Sequence, residues 1–199
     1  MRKIFFSISL LMCCSFLMNA QSIKVKKGKL SALSKVTSYD VVFSYENMNV
    51  GKMTEEDYVA EKVKAYNKKE KGRGDEWKGK WIADRNERFE PKFITLFNKS
   101  SDGQVKIKEG DSNCPYEMHV RTTDTEPGFN VGVMRKNAYI SMEISFIEKK
   151  TQKVLVLIEL LDARGRSVQG YDFDTGTRLE EGYAKAGKGL GNFFRKKVM

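Results

Sequence analysis

The segment that most restricts the fold runs from Ala138 to Leu161. Within Ala138–Ile147, the residues Ile140, Met142, Ile144 and Phe146 alternate with Ser141, Glu143 and Ser145. A period of two places the first set on one side of a strand and the second on the other. The polar stretch Glu148–Lys153 then has the composition of a turn, and Val154–Ile158 is an unbroken apolar run, resumed at Leu160 and Leu161. A run this short and this rich in Val, Leu and Ile has the pattern of a central strand covered on both faces; a buried helix would be longer. The two runs predict a hairpin at the heart of a sheet.

The rest of the chain supplies layers for that sheet. Tyr39–Tyr45 is β-branched and aromatic, as a first core strand should be. Thr54-Glu55-Glu56-Asp57 reads as a helix start, with a capping hydroxyl and acids where the helix dipole favours them. Val59, Val63 and Tyr66 follow at the spacing of one buried stripe, and Lys68–Gly74 ends the helix. A strand followed by such a helix is half of a βαβ unit. Asp75 is the expected cap of a second helix carrying Trp77, Trp81, Arg85 and Phe89 on one face, with a kink at Pro91 before Phe93, Leu96 and Phe97. Aromatics at this spacing are read as core and not as a ligand-stacking surface. Gln104–Lys108 reads as an edge strand, Tyr116–Thr123 as a strand, and Asp124–Lys136 as a long loop with an extended piece at Phe129–Met134. A last helix opens on the capping box Thr177–Glu180 and steps through Leu179, Tyr183, Ala186, Leu190 and Phe194. Its glycines weaken helix propensity, so it must lie flat on the sheet to persist. The expected class is α/β: a mixed sheet of about five strands around a central hairpin, covered by about three helices.

Compartment follows from the start of the chain. Arg2 and Lys3 precede an apolar stretch from Ile4 to Met18, and Asn19-Ala20 stands before Gln21. This is the pattern of a cleaved export signal; the stretch is short against the roughly 20 residues of a bilayer span. The expected division is a signal over 1–20, a flexible basic leader over 21–38 with a weak edge strand at Ile23–Val25, and one α/β domain over 39–199. Cys13 and Cys14 lie inside the apolar stretch without a small residue before them, and are read as signal residues, with lipidation as the alternative. Cleavage removes Arg2 and Lys3 and no acid, so the formal charge falls from +10 to +8. Of three cysteines only Cys114 remains, which rules out an internal disulfide and predicts a buried thiol. No second stretch is apolar enough to cross a membrane. Export argues against nucleic acid as a partner and for the periplasm or an outer-membrane association.

No motif assembles a catalytic, cofactor or metal site. His119 is the single histidine and has only Cys114 as a companion donor, too few for structural zinc. Asp172-Phe173-Asp174-Thr175-Gly176 resembles part of a calcium loop but lacks the downstream bidentate Glu, and is assigned to a turn leading into the last helix. Gly187-Lys188-Gly189-Leu190-Gly191 lies late in a helical pattern and not between a strand and a helix, so it is helix packing and not a phosphate loop. A hydrolase acting on envelope carbohydrate or peptide would draw acids from Glu143, Asp172 or Asp174. The basic surplus offers Lys24, Lys26, Lys27, Lys29, Lys68, Lys69, Lys71 and Arg73 as contacts for an anionic polymer or lipid.

Together, Tyr139–Phe146, the polar turn through Lys153, Val154-Leu155, and the closing helix Leu179–Lys196 with Ala186-Gly187-Lys188-Gly189-Leu190-Gly191-Asn192-Phe193-Phe194 resemble small cell-envelope α/β proteins. These include the periplasmic domains of curli-type secretion lipoproteins and the amino-terminal domain of TolB-like proteins. The resemblance covers the last part of the chain. It implies a scaffolding or binding module of the envelope, with an envelope component of unknown identity, anionic in one reading, as its partner. The oligomeric state is left open.

Overall fold

The computed structural model describes residues 21–131, 133–165 and 174–198. The expected signal segment, Cys13 and Cys14, and Asp172 lie outside them.

The central hairpin forms as expected. Strand β9, Ala138–Glu148, pairs antiparallel with β10, Lys153–Gly165. It pairs on its other side with β6, Tyr116–Glu126. Beyond β6 come β2, Ser38–Ser44, and β5, Lys106–Lys108, each parallel to its neighbour. The strand–helices–strand unit expected after Tyr39–Tyr45 is therefore present, closing at β5 on the sheet edge. Strand β1, Ser22–Gly28, lies antiparallel on β10 at the opposite edge. Two two-residue strands, β3 (Asn49–Val50) and β4 (Met53–Thr54), extend the sheet beside the far end of β6. The sheet thus has eight strands, in the order β1-β10-β9-β6-β2-β5 with β3 and β4 off that path, where about five were expected. Two of the extra strands, β3 and β4, have only two residues each, and β1 is dominated by lysine with a single Ile23/Val25 alternation. The basic segment 21–38 holds the edge strand and extends it well past Ile23–Val25, and Leu33 and Val36 behind it are buried. A separate small hairpin pairs β7 (Phe129–Asn130) with β8 (Arg135–Lys136).

The helices gather on one face of the sheet. Helix α1, Glu55–Lys69, is capped by Thr54, whose hydroxyl accepts from the Asp57 amide at 3.1 Å. Helix α2, Arg73–Asp84, starts earlier than expected, after Gly72 and not at Asp75, because Gly72 takes φ +87°. It runs through a π turn, Arg85–Phe89, into α3, Glu90–Ser100. Pro91 is the second residue of α3, directly after the π turn, where the missing amide falls at the change of hydrogen-bond pattern. Helix α4, Thr175–Lys197, is capped by Asp174 and not by Thr177; the Thr177 amide donates to Asp174 Oδ2 at 2.7 Å. Counting α2 through α3 as one rod, the helices number three among the described residues, as expected.

The alternation of β9 sends Ile140, Met142, Ile144 and Phe146 to the buried face, where they meet Val156, Ile158 and Leu160 of β10. Val154–Ile158 is a strand, but it is not covered on both faces. Leu157 and Glu159 point to a half-exposed face with Glu143, Ser145, His119 and Arg121, whereas Leu155 packs against the core. Leu155 is the extra residue of a β-bulge, which is why the run reads as unbroken.

Helix α4 buries Leu179, Tyr183, Ala186, Leu190 and Phe194, the stripe its spacing predicts. Two of its glycines set how close it lies to α3. A Cβ on Gly187 would overlap the Phe93 carbonyl, and one on Gly191 the Phe97 carbonyl. Both obstacles are backbone, which cannot swing aside. Around this contact Phe194 meets Phe97 edge-on and Phe146 at a tilt, and Tyr183 stacks on Phe89 at 4.9 Å. In urea unfolding, Gly187→Ala should therefore cost about 1–3 kcal/mol, the usual penalty of overpacking. Gly189→Ala meets only the flexible end of Gln21. It should be neutral or gain up to about 1 kcal/mol from helix propensity.

Candidate functional site

Helices α1 and α2 form a hairpin that hangs outside the main core. Helix α1 has no fully buried residue. The stripe Val59, Val63 and Tyr66, expected to be core, is only half-buried, because its partner is one helix and not the sheet. Val59 and Val63 instead form one wall of a groove of about 640 Å³, together with Ala60. Trp81 and Ile82 of α2 form the other wall. Trp81 is buried, whereas Ile82 is 49% exposed. Glu56, Lys64, Asp75 and Lys78 rim the opening. An apolar bed of this size with a charged rim has the form of a binding site.

The groove is held at both ends. At the turn, Gly74 lets α2 lie against the Val63 backbone, where a Cβ would overlap the Val63 carbonyl. The Asn67 side chain accepts from the Gly74 amide at 2.7 Å and donates to Asp75 at 3.2 Å. At the other end, Trp81 Nε1 donates to Glu55 Oε1 at 2.6 Å, and Arg85 pairs with the same oxygen. Glu55, read from sequence as a helix-start acid alone, thus also ties α1 to α2.

Trp81 also joins the groove to an aromatic cluster. Trp77 stacks on Trp81 with centroids 5.6 Å apart, and Tyr58 and Tyr66 close on them at 5.4 and 5.8 Å. Cations cover the outer rings: Lys62 over Tyr58, and Lys69 and Arg73 over Tyr66. Burial raises the Tyr58 hydroxyl to about 12.

Beneath the hairpin a polar network joins the π turn to the sheet. Arg85 lies 4.2 Å above the Tyr45 ring, and the Tyr45 hydroxyl donates to Glu90 Oε1 at 3.0 Å. Tyr183 and Thr122 share a hydrogen bond of 2.8 Å in the core. Burial pushes the Glu90 carboxyl above the usual range, and the Tyr45 hydrogen bond offsets only part of that. Arg88, in the same turn, bonds to Asp84, Asp174, Thr177 and Glu180, and so pins the start of α4.

The structure separates the residues that sequence had grouped. Lys24, Lys26 and Lys27 belong to the edge strand β1, with Lys29 just after it, and Lys26 pairs with Glu159 at 3.5 Å. Lys68, Lys69, Lys71 and Arg73 lie at the α1–α2 turn, where Arg73 also pairs with Glu70. Strands β10, β9 and β6 stand between the two runs. Glu143 pairs with Arg121 at 3.3 Å on the open sheet face, whereas Asp174 caps α4 on the helical side. Those two acids do not face one cleft. Cys114 is a buried free thiol beside Ser38. His119 sits on the open face between Val42 and Ser145. No described helix is long and apolar enough to cross a membrane.

No protein-family model matches the sequence, and no curated protein matches it. Solved structures give distant likenesses. A leucine-to-methionine variant of the PelC dodecamer from Paraburkholderia phytofirmans has 8% identity and a TM-score of 0.37, over 83% of this chain and 96% of that one. A second PelC dodecamer structure from that organism has 11% identity and a TM-score of 0.38, over 85% and 96%. Protein XCC0632 from Xanthomonas campestris, of family DUF330, has 10% identity and a TM-score of 0.35, over 80% and 85%.

The Glu90 carboxyl gives a pH test of the network below the groove. Its folded-state pKa is raised, so its buried charge costs stability above that pKa, and the cost fades as falling pH protonates it. Glu90→Gln keeps an acceptor for Tyr45 and removes the charge. Thermal melts should show the variant more stable than the wild type at neutral pH, with the gap closing toward acid.

Proposed function

We propose that this chain is an exported cell-envelope protein acting as a non-enzymatic binding or assembly module, with the α1–α2 groove as its binding surface. The observation that carries this reading is the half-buried apolar wall of Val59, Val63 and Ile82 in a groove fixed at both ends. Apolar side chains left beside water gain when a ligand covers them, at about 25 cal/mol per Å² removed from solvent. A groove already held open spends little on reorganising to receive that ligand.

The export reading rests on the first 20 residues and on the resemblance of the closing strand–turn–strand–helix segment to envelope modules. The hydrolase alternative loses support from the split between Glu143 and Asp174. The electrostatic alternative is weakened by the ion pairs and ring contacts that Lys26, Lys69 and Arg73 already make.

The dye 1-anilinonaphthalene-8-sulfonate, whose emission rises in apolar sites, probes the groove directly. The dilute wild type should bind it saturably, with quenching of tryptophan emission through Trp81. Ile82→Asp should weaken binding at least tenfold, and Val25→Asp, on the far edge strand, should leave it unchanged. Equal binding by the wild type and Ile82→Asp would contradict the assignment.

A further inference from the structure

The same chain also carries an exposed apolar protrusion. Of the seven large apolar residues exposed among the described residues, four lie in the small hairpin: Phe129, Val131, Val133 and Met134. Val133 is 95% exposed, and Val131 and Met134 are each 61% exposed. Near the tip the Val131 amide donates to the Met134 carbonyl at 3.0 Å. It is a convex knob of aliphatic side chains.

The base of this knob is built from the core. Arg178 of α4 is 3% exposed. Its guanidinium donates to the Pro127 carbonyl at 3.0 Å and to the Gly128 carbonyl at 3.3 Å. The Glu126 carboxylate accepts from the Gly128 amide at 3.0 Å and from Lys136 Nζ at 2.6 Å. A Cβ on Gly128 would overlap the backbone of Lys136 and Asn137, so the two arms lie in close contact at their root. A buried guanidinium is costly unless it is hydrogen-bonded, and here two of its bonds go to the root of an exposed apolar finger and another to Thr175.

The finger is not seated in its own groove, since Val131, Val133 and Met134 remain exposed. The β3–β4 turn leading into α1 bonds to β6 just before the finger, where the Gly51 amide donates to the Thr125 carbonyl at 2.8 Å. The finger's apolar tip is therefore left open to another molecule.

We propose that Val131, Val133 and Met134 of one copy seat in the α1–α2 groove of a second copy, against Val59, Trp81 and Ile82. This rests on the groove being a binding surface, as proposed above, and names its occupant. The contact is head-to-tail: each copy offers one finger and one groove, so the chains close into a ring or extend as a filament. The groove rim sets the carboxylates of Glu56 and Asp75 beside Lys64 and Lys78, a mixed border that disfavours a charged occupant and suits an apolar tip. A finger of this size covers less than the roughly 800 Å² per partner of a stable two-body interface, so association is weak and depends on concentration.

Sedimentation velocity on the purified protein tests the contact. The wild type should show a mass that rises with concentration above one chain. Val133→Asp, at a fully exposed site, and Ile82→Asp should each stay monomeric with unchanged melting. An equimolar mixture of the two should form a species of two chains and nothing larger, because the intact groove of the first accepts the intact finger of the second. A wild type that stays monomeric, or a mixture that does not pair, overturns the proposal. Assembly of Val133→Asp like the wild type overturns the finger and leaves the groove reading standing. If Ile82→Asp keeps both assembly and dye binding, both readings fall. A monomeric wild type that pellets with phosphatidylglycerol vesicles only when Val133 is intact overturns it in favour of a lipid surface.

Discussion

The structure depends on three places where backbone lies directly on backbone. At Gly187 and Gly191, α4 presses onto the carbonyls of Phe93 and Phe97 in α3, and at Gly165 the end of β10 presses onto the Arg178 carbonyl of α4. No side chain fits in any of them. Once these contacts form, the position of α4 on the sheet beside α3 is fixed, and Phe194, Leu190 and Tyr183 drop into the buried face. The glycines that cost the isolated helix roughly 1 kcal/mol each are thus offset by the close packing they permit.

That placement propagates outward to the candidate site. Tyr183 stacks on Phe89, and Arg88 grips Glu180, Thr177 and Asp174, so the π turn is bound to α4 by one ring and one guanidinium. The turn sets the direction in which α2 leaves the core. Arg85 and Trp81 then take hold of Glu55 and bring α1 alongside. The groove is the outermost consequence of a chain of contacts that begins at the glycines. A π turn shifts the side-chain register of a helix, and here the shift coincides with the change from core helix to outboard helix.

Much of the frame was legible in the sequence because it rests on periodicity. Alternation in Ala138–Ile147 and the step through Leu179, Tyr183, Ala186, Leu190 and Phe194 each report a buried face, and both faces are where those patterns put them. Periodicity cannot report what lies opposite. Val154–Ile158 read as covered on both sides because the bulge at Leu155 hides its alternation, and Val59, Val63 and Tyr66 read as core although only one helix faces them. The two-residue strands β3 and β4 are too short to have a period. The site was less legible still. Ile82 gave no signal of its own, Glu55 looked like a helix-start acid, and the cationic runs that composition singled out lie on separate parts of the fold. The exposed finger was visible only as a loop with an extended piece, since exposure is a tertiary property.

The central claim is that α4 belongs to the same cooperative unit as the β9–β10 hairpin, while the α1–α2 pair is attached from outside. Native-state hydrogen exchange followed residue by residue measures this directly. The account predicts that amides of Leu179–Phe194 exchange as slowly as those of Ile140–Phe146, with α1 opening at lower free energy. Exchange of α4 as fast as α1, with β9 still protected, would contradict it.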